Sequence, residues 1–229
     1  MNIIKGIIFD IDGTLADSMG VWTQSDVTLL ERRGIAYNRE FSEAMRSMHF
    51  MSACEYLKEK FRLPETAEEI GAEITEIVRE KYFHEVRLMP YAAEFIRICR
   101  ETGIKMCAAT SNKRELAEGV LENNGILELL DFIITSDEAG SGKECPDIFH
   151  QCAAGLGTSP QETAVFEDSP HAAKTAYENG FFTVGMDSGH FGDFELLKEL
   201  CHVRPGSFRA AAELISKEKG GLVYDPVRI

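Results

Sequence analysis

Basic residues are in short supply. Against 38 Asp+Glu the 229-residue chain carries 24 Lys+Arg, a formal net charge of −14, and a surface of that sign repels phosphate backbones and anionic lipid alike. Nucleic acid and membrane surfaces are therefore not expected as partners. No Cys-x-x-Cys pair occurs among Cys54, Cys99, Cys107, Cys145, Cys152 and Cys201, so neither a zinc cage nor a disulfide framework is expected, and the thiols read as buried or incidental. Long apolar runs are missing too, with nothing near the roughly 18 consecutive residues of a membrane span. The first ten residues lack the charged flank, apolar stretch and small-residue cleavage site of a secretory signal. The expectation is a soluble, cytoplasmic protein without internal repeats or low-complexity segments.

What is present is a recurrence of short apolar, β-rich runs: Gly6 to Phe9, Ile104 to Ala109, Phe132 to Thr135, Thr163 to Phe166 and Phe181 to Val184. Each reads as a strand buried on both faces. Between the last four lie helical stretches with recognisable ends. Asn112 is expected to cap a segment carrying Leu116, Val120 and Leu121 that stops at Asn124-Gly125, and Pro170 opens another that stops at Asn179-Gly180. Strand alternating with helix predicts an α/β fold, a parallel sheet flanked by helices.

From Asp10 to Ile104 the chain is far longer than one crossover needs, so something folded is inserted there. Phe41, Ala44, Met45 and Met48 share one helical face, as do Ile70, Ile74, Ile77 and Val78. Ser52 with Glu55, and Thr66 with Glu69, have capping-box spacing, and Gly34 can end a helix that starts near Ser18. The insert reads as a bundle of about four helices. The domain expectation is a core of residues 1–15 and 88–229 with a helical domain of residues 16–87.

Two carboxylates, Asp10 and Asp12, follow the first strand and precede Gly13-Thr14-Leu15. Open α/β sheets place their sites at the carboxyl ends of strands, and a sharp turn brings both side chains into one crevice, with Gly13 allowing close backbone approach. A calcium loop would need its glycine at the sixth position, and here it is fourth after a strand. A merely solvated acidic turn is the other alternative. A second acidic pair, Glu167-Asp168, closes a later strand before Ser169-Pro170. Alone it reads as helix-capping carboxylates; beside Asp10 and Asp12 it becomes a site for a hard cation, and oxygen ligands suit magnesium. Thr110, Ser111 and Asn112 can hold an anion with a hydroxyl and backbone N–H groups, or simply cap a helix. Lys143 lies in a glycine-rich loop whose ends rim the same crevice, which suits a charge clamp on nucleophile and phosphate. Its rival, Lys113, is expected to point outward.

Together, Phe9-Asp10-Ile11-Asp12-Gly13-Thr14-Leu15, Thr110, Lys143 and Glu167-Asp168, in that order, resemble the haloacid dehalogenase-like hydrolase superfamily, in the helical-cap branch that includes β-phosphoglucomutase and phosphoglycolate phosphatase. The resemblance covers the core almost completely, and the cap in position and helical character only. It implies a Rossmann-like core with a cap domain. It makes Asp10 a nucleophile that forms an aspartyl-phosphate, and Asp12 the acid/base. It makes Thr110 and Lys143, with Ser111 and Asn112, the phosphate-binding groups. Mg²⁺ is then held by Asp10, the backbone carbonyl of Asp12 and Asp168, with Glu167 assisting. Two carboxylates in one crevice can be driven to different protonation states, and phosphoryl transfer asks mainly for positioning and charge neutralisation. The implied activity is a Mg²⁺-dependent phosphatase acting on a small phosphorylated metabolite as a monomer or weak homodimer. A phosphomutase of the β-phosphoglucomutase kind stands as the alternative. A dehalogenase gives no role to the extra carboxylates, and a silent binding module would have lost a core group.

The sequence departs from the family pattern in two places: Glu144 follows Lys143 where proline is usual, and Tyr91 follows Pro90 where glycine is common. In the insert, Met19 and Trp22 can face the site or pack the bundle, and Met45, Met48, Met51 and Phe50 can form an apolar wall or ordinary core. Arg46, His49 and Lys58 read as surface residues. The tail from Gly220 to Ile229 is expected to pack on the core or fray.

Overall fold

The structure is a computed structural model. It describes all residues except 1, 2, 39, 41–43, 46, 47, 49, 190–192, 214, 217–220 and 224–229, and only the backbone of 3, 80, 193, 215, 216 and 221–223. Its strands are β1 (Ile3–Ile4), β2 (Gly6–Phe9), β3 (Lys105–Thr110), β4 (Phe132–Thr135), β5 (Thr163–Glu167), β6 (Phe182–Met186), β7 (Val203–Gly206), β8 (Ile215–Ser216) and β9 (Gly221–Val223). The helices used below are α1 (Met19–Glu31), α2 (Phe50–Phe61), α3 (Ala67–His84), α4 (Ala92–Glu101), α5 (Arg114–Asn123), α6 (Asp147–Leu156), α7 (Pro170–Glu178) and α8 (Phe208–Ala212).

Contacts divide the chain into two compact units, Ser18–Val86, and Met1–Asp17 with Arg87–Ile229. In the larger unit a six-stranded sheet runs in the order β4-β3-β2-β5-β6-β7, every pairing parallel. The chain winds outward from β2 through β3 to β4, then crosses to the other side of β2 for β5, β6 and β7. That reversal brackets the carboxyl end of β2 between β3 and β5, where such sheets open a crevice. Register sets the level of the site. Phe9 lies opposite Ala108 on one side and Phe166 on the other, so Asp10 and Glu167, each the next residue along, emerge side by side.

Side chains alternate between the two faces along each strand, and in β2, β5 and β6 both faces are buried. One face carries Ile8, Cys107, Ala109 and Val165 against Ile148, Phe149 and Cys152 of α6 and Ala172 and Ala176 of α7. The other carries Phe9 and Phe166 against Phe95 of α4 and Phe208 of α8, with ring centroids 5.1 Å apart for Phe9 and Phe166 and 5.3 Å for Phe95 and Phe208. All four rings are fully buried, each contributing about 1.5–3 kcal/mol of transfer free energy. Phe9 and Phe166 directly precede Asp10 and Glu167, so this cluster is the rigid floor of the site.

The smaller unit packs α1 and α2 against α3 around Leu29, Leu30, Cys54, Leu57, Ile70, Ile74, Val78 and Tyr82. Trp22 meets Phe50 and Tyr82 edge-on at 6.4 and 6.0 Å, so its ring packs the bundle, and Met45 is buried. Thr66 and Glu69 form the capping box at the start of α3, with bonds of 2.8 and 3.2 Å. Arg33, near the end of α1, bridges Glu65 and Glu73 at 2.7 and 2.6 Å. Phe41, Arg46 and His49 lie outside the described residues.

Several local expectations need correction. Ser52 does not start a helix, because α2 has already begun at Phe50. The N-cap of α5 is Lys113 and not Asn112; the Asn112 side-chain oxygen does accept a bond, from the Lys113 N–H at 2.8 Å, one position too early to cap. β7 was not among the expected strands, since Arg204 and Pro205 break its apolar pattern. Proline is tolerated there because β7 is an edge strand. A separate antiparallel sheet of order β1-β9-β8 pairs Ile3 and Ile4 with Val223 and Leu222. The tail thus pairs with the N-terminal segment through Leu222 and Val223, while residues 220 and 224–229 lie outside the described residues.

Candidate active site

Asp10 extends the β2 ladder by one bond, its N–H donating to the Phe166 carbonyl at 3.0 Å. A tight turn follows, closed by Gly13 N–H to Ala16 O at 2.9 Å and Ala16 N–H to Ile11 O at 2.8 Å. Gly13 has φ +87°, a left-handed conformation that glycine adopts without cost. It also approaches Asp168 so closely that a Cβ there would lie 2.9 Å from the Asp168 Cγ. This turn returns the chain beside the end of β5.

The Lys143 ammonium donates to Asp10 Oδ1 and, at 3.1 Å, to Glu167 Oε1. All three groups are buried, and the second Glu167 oxygen accepts the Asp168 N–H at 3.2 Å. Asp10, Glu167 and Asp168 each bring a carboxylate oxygen within 4.8 Å of the other two. Burial raises the Asp10 carboxyl above its ordinary pKa; Lys143 pulls it down and Asp12 pushes it further up. Burial also pushes Glu167 well up, with the Asp10 charge adding and Lys143 opposing. For Lys143 burial acts downward, but attraction to Asp10 and Glu167 outweighs it and holds the ammonium above its ordinary value. One cation therefore faces three carboxylates in a dry crevice. Asp10 Oδ2 is buried there without a hydrogen-bond partner, and a hard divalent cation with oxygen ligands would answer the excess negative charge.

Thr110 ends β3, and its hydroxyl oxygen accepts the Asn112 N–H at 3.0 Å. Asn112 is 7% exposed, and its Nδ2 donates to Asp12 Oδ2 at 3.3 Å. Ser111 faces outward, its hydroxyl 3.4 Å from that of Ser136. Asp12 is half-buried, and its carboxylate stands outside the trio that could hold a metal, turned toward Asn112. Lys113 sits at the helix cap, whereas Lys143 reaches Asp10.

One buried group was not singled out from the sequence. Thr14 is wholly buried, its hydroxyl beside the Asp10 carboxyl at a geometry short of a full hydrogen bond. The signal available was its place as the first hydroxyl after the acidic turn.

Tyr91, the residue at the usual glycine position, adopts φ +71°, the conformation glycine would supply. Its ring lies under the Arg209 guanidinium at 5.2 Å.

A family model described as haloacid dehalogenase-like hydrolase matches residues 4–178. Validoxylamine A 7'-phosphate phosphatase of Streptomyces hygroscopicus subsp. limoneus is 28% identical over 207 residues, 87% of this chain and 96% of the relative. Fructose-1-phosphate phosphatase YqaB of Escherichia coli is 24% identical over 79% of this chain and 95% of its own. The crystal structure of β-phosphoglucomutase from Clostridium difficile superposes with a TM-score of 0.78 at 21% identity, covering 94% of this chain and 95% of the other, a likeness of fold. With the match spanning β2 to β5 and all four site elements, Asp10 with Asp12, Thr110, Lys143 and Glu167 with Asp168, the chain belongs to the haloacid dehalogenase-like hydrolase family.

Proposed function

We propose that this protein is a Mg²⁺-dependent phosphatase that hydrolyses a small phosphorylated metabolite, a sugar phosphate foremost, through an aspartyl-phosphate on Asp10. The observation that carries the reading is the state of Asp10: buried, one oxygen clamped by Lys143 and the other without a hydrogen-bond partner. A carboxylate so held is immobilised with an oxygen to spare for attack. The two curated relatives, named for phosphatase activity on validoxylamine A 7'-phosphate and fructose 1-phosphate, support the substrate class.

In this reading an Asp10 oxygen bonds to phosphorus as the bond to the leaving oxygen breaks. The electron pair stays on that oxygen, which takes a proton from Asp12. Asp12, now ionised, takes a proton from water as the water oxygen bonds to phosphorus, and the bond to Asp10 breaks. Phosphate leaves and both carboxyls return to their starting states. Lys143 and Thr110 neutralise and orient the phosphoryl oxygens, with Ser111 contributing its backbone N–H. Asp10, the Asp12 carbonyl and Asp168 would hold Mg²⁺, with Glu167 assisting; bound there, the ion supplies charge neutralisation to the phosphoryl group. Residues 16–87 are assigned the role of cap, and 1–15 with 88–229 that of catalytic core.

Replacing Asp10 by Asn removes the nucleophile, and turnover of p-nitrophenyl phosphate should vanish; persistence of hydrolysis in that variant rules the assignment out. Screening phosphorylated sugars with Mg²⁺ and assaying free phosphate identifies the substrate. A positional isomer in place of free phosphate, formed in the presence of a bisphosphate activator, would instead make the protein a mutase.

A further inference from the structure

We propose that Asn112 is a positioning residue for Asp12, holding the acid/base carboxyl toward the leaving oxygen, and not a ligand of the phosphate. The proposal rests on the phosphatase reading above and deepens it.

The orientation of the amide is determined by its surroundings. Asn112 Oδ1 accepts the N–H of Lys113 at 2.8 Å, and a backbone N–H can face only an acceptor. The NH₂ end must then face Asp12 Oδ2, 3.3 Å away. Flipping the amide would set oxygen against carboxylate and NH₂ against N–H, two repulsions in place of two bonds. Asn112 is also braced through its own N–H, which donates to Thr110 Oγ1 at 3.0 Å. Asn112 is buried, so little entropy remains to be lost when its side chain binds Asp12.

The same bonds determine what the turn offers an anion. Lys113 N–H is spent on Asn112 Oδ1 and Asn112 N–H on Thr110 Oγ1. The Thr110 hydroxyl, already accepting from Asn112 N–H, has its own proton to donate to an anion. The Asn112 amide points instead at the one carboxylate of the motif that stands outside the metal-binding trio.

A neutral donor suits that task. Asp12 must be an acid in the first half of the reaction and a base in the second. A lysine in this place would favour the ionised form; an amide orients both forms. With Oδ2 accepting from Asn112, the proposal puts the transferable proton on Oδ1. At 3.3 Å the bond is long, as catalytic hydrogen bonds often are before substrate completes the site.

The test separates proton donation from phosphate binding by the leaving group. Phenyl phosphate needs a proton on its departing oxygen, whereas p-nitrophenyl phosphate needs it far less, and both present the same phosphoryl group. The readout is the ratio of kcat/KM for p-nitrophenyl phosphate to that for phenyl phosphate, because kcat/KM reports the step in which Asp12 acts as acid. In Asn112→Ala the ratio should rise on the order of tenfold or more. Asn112→Asp, which keeps the size and the acceptor for Lys113 N–H but loses the donor, should shift the ratio the same way even if its charge weakens binding of both esters. Equal losses on both esters, leaving the ratio at its wild-type value, would overturn the positioning role. Hydrolysis surviving in Asp10→Asn would instead sink the phosphatase reading itself, so the two failures are distinct.

Discussion

Lys143 is the residue on which the charge balance of the site turns. It is buried between Asp10 and Glu167, and with it removed three carboxylates share a water-poor crevice. We expect Lys143→Met to lower kcat/KM by at least about 10²-fold, the scale of losing one preorganised electrostatic partner. We also expect it to destabilise the fold by roughly 1–3 kcal/mol, less than a broken buried pair costs when its remaining charge cannot be relieved, because the Glu167 carboxyl can take up a proton. A carboxyl whose folded pKa is raised binds more protons folded than unfolded, so its stability contribution fades as pH rises through the folded value. Urea titrations in EDTA should therefore find the variant weakest, relative to wild type, at alkaline pH; a deficit independent of pH would contradict this. The placing of Asp10, Thr110, Lys143 and Asp168 was legible because each follows a recognisable strand or glycine-rich loop. The direction of the Asn112 side chain was not. An asparagine just before a helix has the same spacing whether it caps that helix or reaches across to another strand, and only the position of the Asp12 turn, 100 residues away, decides.

At the scale of elements, β6 and β7 are joined by a contact with its own pH dependence. His202 Nδ1 accepts the N–H of Thr183 at 3.1 Å, which requires the ring nitrogen to be unprotonated. Burial lowers the His202 pKa from its ordinary 6.5. The unfolded chain therefore binds more protons below that value, and the stability contribution is fully present above it and lost as pH falls through the window beneath. Urea midpoints should decline between about pH 7 and pH 5, and His202→Asn should remove that part of the slope; an unchanged slope would place the titration elsewhere. The edge strand β7 escaped sequence reading because pairing along one side only tolerates Pro205 and charged neighbours. The strands β2, β3 and β5 were legible for the opposite reason: buried on both faces, they allow almost nothing but apolar residues. At the start of α4, Tyr91 adopts the positive φ where glycine was expected, so the missing glycine did not signal a different backbone.

For the whole molecule, a net charge of −14 and an acidic trio in the crevice make stability sensitive to cations in two distinguishable ways. Monovalent salt screens self-repulsion generally. Mg²⁺ at constant ionic strength should raise the melting temperature further, by linkage of binding to the folded state, and EDTA should reverse it. Asp168→Asn should abolish the Mg²⁺-specific part and leave the salt effect; a variant that still responds to Mg²⁺ would show the ion acting elsewhere.

Composition, strand periodicity and the four motif elements were sufficient by themselves to predict an α/β sheet, the insertion of a helical segment and a set of carboxylates at strand ends. Those are local properties, written in which residues are apolar and where turns fall. Tertiary structure alone decided which carboxylates meet Lys143, that the Asn112 amide points at Asp12, that Ser111 turns outward and that Leu222 and Val223 pair with Ile4 and Ile3. Such pairings depend on the register between strands distant along the chain, and register is the outcome of packing the aromatic floor of Phe9, Phe95, Phe166 and Phe208, which no local pattern encodes.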